Sequence, residues 1–143
     1  MKNLRKVFFL IAACMICAFG VSAQSMQEMG EQVASELAKA LNTPEMKKQM
    51  IDDAGLAQFN ATSKGTTLIM NMTLADKEAK FGILSAEEKA ELTDSFSGML
   101  IGGITEGEEG EMVLQAFKML GIKVQINMKD QFGNSLTKTV DFK

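Results

Sequence analysis

One segment near the C-terminus matches the S-x-x-K pattern of penicillin-recognising enzymes, namely Ser135-Leu136-Thr137-Lys138. That chemistry needs the serine at the start of a helix, because the lysine then lies one turn away and reaches the hydroxyl group. Here the residues alternate as they do in a β-strand, where side chains three positions apart face opposite sides. We therefore predict a strand at this position and no catalytic serine.

Four glutamates, Glu106, Glu108, Glu109 and Glu111, form an acidic cluster in a stretch that also contains glycine. Several carboxylate oxygens together suit a calcium ion. The spacing differs from that of an EF-hand loop, however, and carboxylates are also favoured at the N-terminus of a helix. The pattern therefore predicts a helix start, and it leaves open whether the cluster binds a cation.

Methionine is abundant, and ten of the 12 methionines follow residue 23. Thioethers are soft ligands for Cu(I), and closely spaced pairs such as Met70 and Met72 suit exported copper carriers. These two side chains also alternate with Leu68 and Leu74 on one face of a predicted strand, which indicates core packing. We predict no metal site, and a methionine-based Cu(I) handling protein of the periplasm remains the alternative function.

The composition excludes several kinds of site. The chain has no His, so it lacks Ser–His and Cys–His nucleophiles and Cys/His zinc sites. It has no Trp or Tyr, the rings common in sugar-binding and base-stacking platforms. Beyond residue 23 it carries 12 basic and 18 acidic residues, a net charge of −6 that disfavours nucleic acid binding. We therefore predict a protein that is not an enzyme and has no cofactor.

Residues 1–23 have the three parts of a secretory signal peptide. Three basic residues precede a 15-residue apolar run, 7–21, and Val21-Ser22-Ala23 places small residues before a polar continuation. The run is shorter than the ~20 residues that span a bilayer as a helix. We predict a cleaved signal peptide, 1–23, and one exported domain, 24–143, that is periplasmic or secreted and has no stable membrane span.

A second processing signal overlaps the first. Ile11-Ala12-Ala13-Cys14 resembles the lipobox of bacterial lipoproteins, and lipidation of Cys14 would anchor the protein to a membrane. The residues after Cys14, 15–21, are apolar, whereas a lipoprotein has a polar tether at that position. Cleavage after Ala23 is therefore favoured, and a lipoprotein anchored through Cys14 is the alternative. Cys17 does not fit a lipobox, and no cysteine follows it to form a disulfide.

Apolar residues at helical spacing, together with capping signals, predict four helices. Ser25 and Glu28 form one capping box, and Ser85 and Glu88 form another. Thr43-Pro44 is a further start signal. The predicted helices are 26–41, 44–54, 86–104 and, after a glycine-rich break at 105–110, a fourth that ends at Gly121.

Four segments alternate apolar and polar residues with period two, and turn residues join them into two hairpins. The first hairpin turns at Ser63-Lys64-Gly65 and the second near Gly133. The fold class is therefore α+β, with an antiparallel sheet of about four strands, helices on one face and the order α-α-β-β-α-α-β-β. Lys138 interrupts the apolar face of the last strand, which is typical of an edge strand.

This outline resembles a group of small exported bacterial domains of unknown function. Three stretches carry the resemblance: the hairpin 59–68, the helix start 84–89, and the strands and turn of 121–142. They consist of turns and caps rather than reactive groups. The resemblance implies the fold and export, and it implies no catalytic residue.

The apolar stretch 96–104 includes a G-x-x-x-G motif, Gly98 to Gly102, and is too short to span a membrane. Glycines weaken a helix, so the stretch is a candidate partner-docking segment that opens at little cost. Burial of the same side chains in the core is the competing interpretation. The residues are Phe96, Met99, Leu100, Ile101 and Ile104.

These features favour a non-catalytic exported module that binds a protein, peptide or apolar ligand. The binding surface would be the helical layer or an exposed sheet edge. Abundant methionine suits such a surface, because its flexible thioether side chain adapts to varied shapes. A hydrolase with a carboxylate pair is a weaker hypothesis, because no acidic pair has a recognisable setting.

We predict that the mature N-terminus is Gln24, because Val21-Ser22-Ala23 is the better exit from the apolar run. Intact-mass analysis of the exported protein measures this directly. A mass that corresponds to a lipid-modified chain beginning at Cys14 would contradict the prediction and establish the membrane-anchored form.

Overall fold

The computed structural model describes residues 26–142. The predicted signal peptide, Cys14 and Ser25 lie outside the described residues. Within them, the elements follow the predicted order α-α-β-β-α-α-β-β. They are α1 (Met26–Leu41), α2 (Pro44–Ala54), β1 (Leu56–Lys64), β2 (Thr67–Leu74), a 3-10 helix (Phe81–Ile83), α3 (Ala86–Thr105), α4 (Gly107–Leu120), β3 (Lys123–Lys129) and β4 (Ser135–Asp141).

Local capping sets the ends of the helices, as the sequence predicted. The Thr43 hydroxyl accepts an N–H hydrogen bond at the start of α2, and Pro44 occupies the first turn. Gly55 ends α2 in the left-handed conformation. At the start of α3, the Glu88 N–H donates to Ser85 Oγ (3.1 Å) and the Ser85 N–H donates to Glu88 Oε2 (2.9 Å), which confirms the second capping box.

The strands form one sheet in the order β1-β2-β3-β4, with antiparallel pairing within each hairpin as predicted. The prediction of a wholly antiparallel sheet is wrong, because β2 and β3 pair in parallel. The chain leaves the end of β2, passes through α3 and α4, and returns to the beginning of β2. There the Lys123 N–H donates to the Thr66 carbonyl (3.1 Å) and β3 starts. A long helical connection permits parallel pairing, which a tight turn cannot make.

Helices cover one face of the sheet, and the core lies between the two layers. α1 packs across β1 and β2, α2 packs against β1, and α3 packs against β4. α4 contacts α1 and α3. The covered face supplies six side chains from the central strands that are each at most 2% exposed: Leu68, Met70, Met72, Val124, Ile126 and Met128. The side chains that alternate with them form an open, mostly polar face.

Different contacts protect the two edge strands, β1 and β4, from pairing with a further strand. Beside β1, Asn42 donates its side-chain amide to the Ala61 carbonyl (2.6 Å) and accepts from the Ala61 N–H (2.8 Å). This two-point contact reproduces the pairing of a neighbouring strand and blocks the edge there. On β4, Lys138 forms an ion pair with Asp94 of α3 (3.1 Å). Ser135 lies on the opposite face of the strand, as the alternation predicted.

Asp130 joins the β3–β4 turn to the 3-10 helix. Asp130 is 3% exposed, and its carboxylate accepts N–H hydrogen bonds from Phe81, Phe132 and Asn134, each 2.8–2.9 Å long. Burial alone would raise the pKa of Asp130, but the backbone donors of Phe81, Asn134 and Phe132, with the Asn134 side chain, outweigh it and hold the pKa below its ordinary value. The ionised carboxylate is therefore the form that the fold stabilises.

We predict that Ile126→Asp unfolds the domain, because it buries an unpaired carboxylate beneath the helices at a cost of several kcal/mol. Lys123→Ala, on the open face of the same strand, should change the free energy of unfolding by no more than ~0.5 kcal/mol. Thermal unfolding monitored by circular dichroism measures both variants. Similar midpoints for the two would contradict the assignment of these residues to opposite faces.

We also predict that Asp130→Asn destabilises the domain more at neutral than at acidic pH. Because the folded pKa is lowered, the stabilisation is present above the ordinary carboxyl pKa of ~3.9 and is lost as the pH falls through the folded value. The midpoint difference between wild type and variant should therefore shrink from pH ~6 to pH ~3. Asp52→Asn, an exposed change on α2, controls for the loss of one charge. A difference that grows on acidification would contradict the prediction.

Candidate binding surfaces

A sharp corner determines how α4 leaves α3. Only Glu106 separates the two helices, and its backbone is extended (φ −77°, ψ 140°). The predicted break across 105–110 is therefore one residue long, and helix resumes at Gly107. A Cβ added at Gly110 would overlap the Thr105 carbonyl carbon, so this close contact requires glycine. The corner holds the first turn of α4 against the end of α3.

α4 has two apolar faces rather than one. The predicted inward residues, Val113, Phe117 and Leu120, are buried in the core. The Phe117 ring also meets Phe142 edge to face, with centroids 5.2 Å apart. On the outer side, Met112 and Met119 are 57% and 50% exposed. They lie seven residues apart, which places them about two turns apart on the same side of the helix.

A shallow groove of about 520 Å³ follows this outer side of α4 and is here called the methionine groove. It is lined by Glu108, Glu111, Met112, Gln115, Ala116 and Met119. Lys118 is the one basic residue among the 14 of α4, so the helix is acidic overall. The groove is therefore apolar at its centre and acidic at its margin.

The end of α4 packs closely against α1. A Cβ added at Gly30 of α1 would lie 2.5 Å from the Leu120 carbonyl oxygen.

The predicted docking segment on α3 is divided between the core and the surface. Leu100 and Ile104 are fully buried, and Phe96 and Ile101 are half-buried. Met99 is 51% exposed. Only Met99 therefore offers a large exposed apolar surface, and docking through this segment stays a prediction.

The candidate metal ligands predicted from the sequence, the glutamate cluster and the paired methionines, lie in different parts of the structure. Glu106 precedes α4, and Glu108 and Glu109 occupy its first turn, where carboxylates complement the helix dipole. Within residues 26–142, no three His, Cys, Asp or Glu side chains are grouped to hold a metal ion. Met70 and Met72 lie in the core, on the strand face that the alternation predicted. Copper binding by methionine stays an untested alternative.

On the open face of the sheet, polar side chains are aligned across the strands. Asn60, Asn71, Asn127 and Thr137 are register partners from β1 to β4. The Gln125 amide donates to Asn127 Oδ1 (3.1 Å), and the Asn127 amide donates to Asn71 Oδ1 (2.8 Å). The three side-chain amides therefore form a chain of hydrogen bonds in which Gln125 donates to Asn127 and Asn127 donates to Asn71.

A shallow depression of about 610 Å³ lies over this row and is here called the amide depression. Its polar lining consists of Gln58, Asn60, Asn71, Thr73, Asn127 and Lys129, and Ile51 of α2 contributes at one side. Lys129 is the one charged residue of the lining. Among residues 26–142, no Asp or Glu lines the depression, although acidic residues outnumber basic ones in the chain.

Sequence reasoning missed both surfaces. Met112 and Met119 lie outside the stripe of Val113, Phe117 and Leu120, and a helical projection would have shown that they form a second stripe. The amide row required knowledge of strand register, because Asn71 and Asn127 are 56 residues apart and meet only in the parallel pairing. No local motif indicated that contact.

No family model, curated protein or solved structure matches the chain. The resemblance to small exported bacterial domains therefore stays a prediction. Within residues 26–142, none of the helices combines the length and hydropathy that a membrane span requires.

Proposed function

We propose that the mature protein is a non-catalytic exported module that docks a protein or peptide segment on the methionine groove. The observation that carries the proposal is the exposure of Met112 and Met119 on one side of α4. Apolar side chains gathered on a surface mark sites that a partner covers. Methionine suits this use, because its flexible thioether side chain repacks against different shapes.

The charges around the groove specify the partner further. Glu108 and Glu111 line it. Acidic margins attract basic residues and repel acidic ones. The partner that fits is an amphipathic helix with apolar side chains over the methionines and lysine or arginine beside them.

A non-catalytic role is supported by the residue types that the chain lacks. Without His, no side chain has an ordinary pKa near neutrality, and nucleophiles that depend on an imidazole base are excluded. The predicted signal peptide, 1–23, supports a site of action in the periplasm or outside the cell. Lipidation at Cys14 would instead hold the same domain at a membrane surface.

Docking is tested with a short amphipathic helical peptide of leucine and lysine and with its leucine–glutamate counterpart. Fluorescence anisotropy with residues 24–143 should show binding of the basic peptide only. Met112→Glu combined with Met119→Glu should weaken that binding at least ~tenfold, since burying one methionine contributes ~1.5–3 kcal/mol and ~1.4 kcal/mol is tenfold. Equal binding of the basic and the acidic peptide would contradict the proposal that the acidic margin selects a basic partner.

Met99→Glu is the matched control, because Met99 is the same residue type with similar exposure on the neighbouring helix. Its affinity for the basic peptide should equal that of the wild type. If Met99→Glu removes binding and the α4 double variant retains it, the contact belongs to the α3 segment 96–104. Hydrogen exchange locates the contact independently, with protection expected in Gly107–Leu120.

A further inference from the structure

The amide chain on the open sheet face ends in a hydrogen-bond donor. Asn127 uses its oxygen to accept from Gln125 and its nitrogen to donate to Asn71 Oδ1. The Asn71 side-chain oxygen therefore already accepts a hydrogen bond, whereas its side-chain N–H groups remain available to donate. Among the described residues, none accepts from this nitrogen. The half-buried end of the chain thus presents N–H groups to the amide depression.

A positive charge lies one row along the same face, in the lining of the same depression. Lys129 pairs with Thr73, two residues beyond Asn71 on β2, so both side chains lie on the open face in adjacent rows. Lys129 is exposed and brings the one charge in the lining of the depression. An ammonium group and an amide donor in one lining, with no carboxylate among its described residues, favour an anion that accepts hydrogen bonds.

We propose that the amide depression binds a small organic anion that also carries hydroxyl groups, of the sugar-acid class. Its carboxylate lies between Lys129 and the Asn71 amide. Its hydroxyl groups exchange hydrogen bonds with Gln58, Asn60 and Thr73, whose amide and hydroxyl groups both donate and accept. The volume of about 610 Å³ is within the range of small-molecule sites.

This site is independent of the proposed docking function, because the methionine groove belongs to the helical layer on the other side of the sheet. It also differs from the usual sugar platform. The chain has no Trp or Tyr for ring stacking, so charge and hydrogen bonds carry the recognition. A neutral sugar loses the contact with Lys129 and binds more weakly.

The experiment is a titration of ¹⁵N-labelled residues 24–143 with D-glucuronate, followed by the side-chain amide signals of Asn71 and Asn127. Saturable shifts of these signals are expected. Lys129→Met should weaken the affinity roughly tenfold, the scale of one charge-assisted hydrogen bond. Asn71→Asp should abolish binding, because it replaces the donor by a negative charge and still accepts the hydrogen bond from Asn127.

Lys123→Met is the matched control, because Lys123 lies on the same face of the same strand at its other end. It should bind glucuronate as the wild type does. D-glucose, the neutral counterpart, should bind at least ~tenfold more weakly, and acetate should not reproduce the shifts. The proposal is overturned if glucuronate gives no saturable shift, if glucose or acetate matches it, or if Lys123→Met weakens binding as much as Lys129→Met.

Discussion

The parallel pairing of β2 with β3 joins the two halves of the chain into one structure. The first half contributes α1, α2 and the β1–β2 hairpin, and the second contributes α3, α4 and the β3–β4 hairpin. Each hairpin is antiparallel and local, whereas this pairing closes a loop through two helices. It is held at one end by the Lys123–Thr66 backbone contact and at the other by Asp130, whose carboxylate reaches Phe81. A buried, fully bonded carboxylate at that end makes the register costly to change.

The helical layer follows from the same crossover. α3 and α4 connect β2 to β3, and the one-residue corner at Glu106 folds them against each other. α4 then rests on α1, α3 and Phe142, with Val113 and Phe117 turned inward. Nothing within residues 26–142 lies over its outer side, so Met112 remains in water. The exposed methionines therefore result from where the crossover places α4, since their hydropathy alone does not distinguish them from the buried ones.

The elements were predictable because their signals are local. The Thr43-Pro44 start and the Ser85 capping box depend on residues within one turn, and the alternation of β3 distinguishes its two faces without knowledge of its neighbours. The direction of β3 relative to β2 was not predictable, because alternation is the same in parallel and antiparallel strands. Asp130 was missed for a related reason. Its partner Phe81 is 49 residues away, and an aspartate before a turn has no local sign of being buried.

The two surfaces have different relations to the fold. The methionine groove lies on one helix, so an occupant there stabilises α4 and, through it, the contacts with α1 and α3. The amide depression spans β1, β2 and β3, and its residues meet only when the parallel pairing is formed. Any molecule that binds only the folded form stabilises it in proportion to the logarithm of its concentration over Kd. An occupant that contacts Asn71 on β2 and Lys129 on β3 also acts on the pairing that unites the halves, because those two strands separate whenever the domain unfolds. The open face is thus the surface on which a molecule bound in the amide depression would contact the same two strands whose parallel pairing joins the halves of the chain.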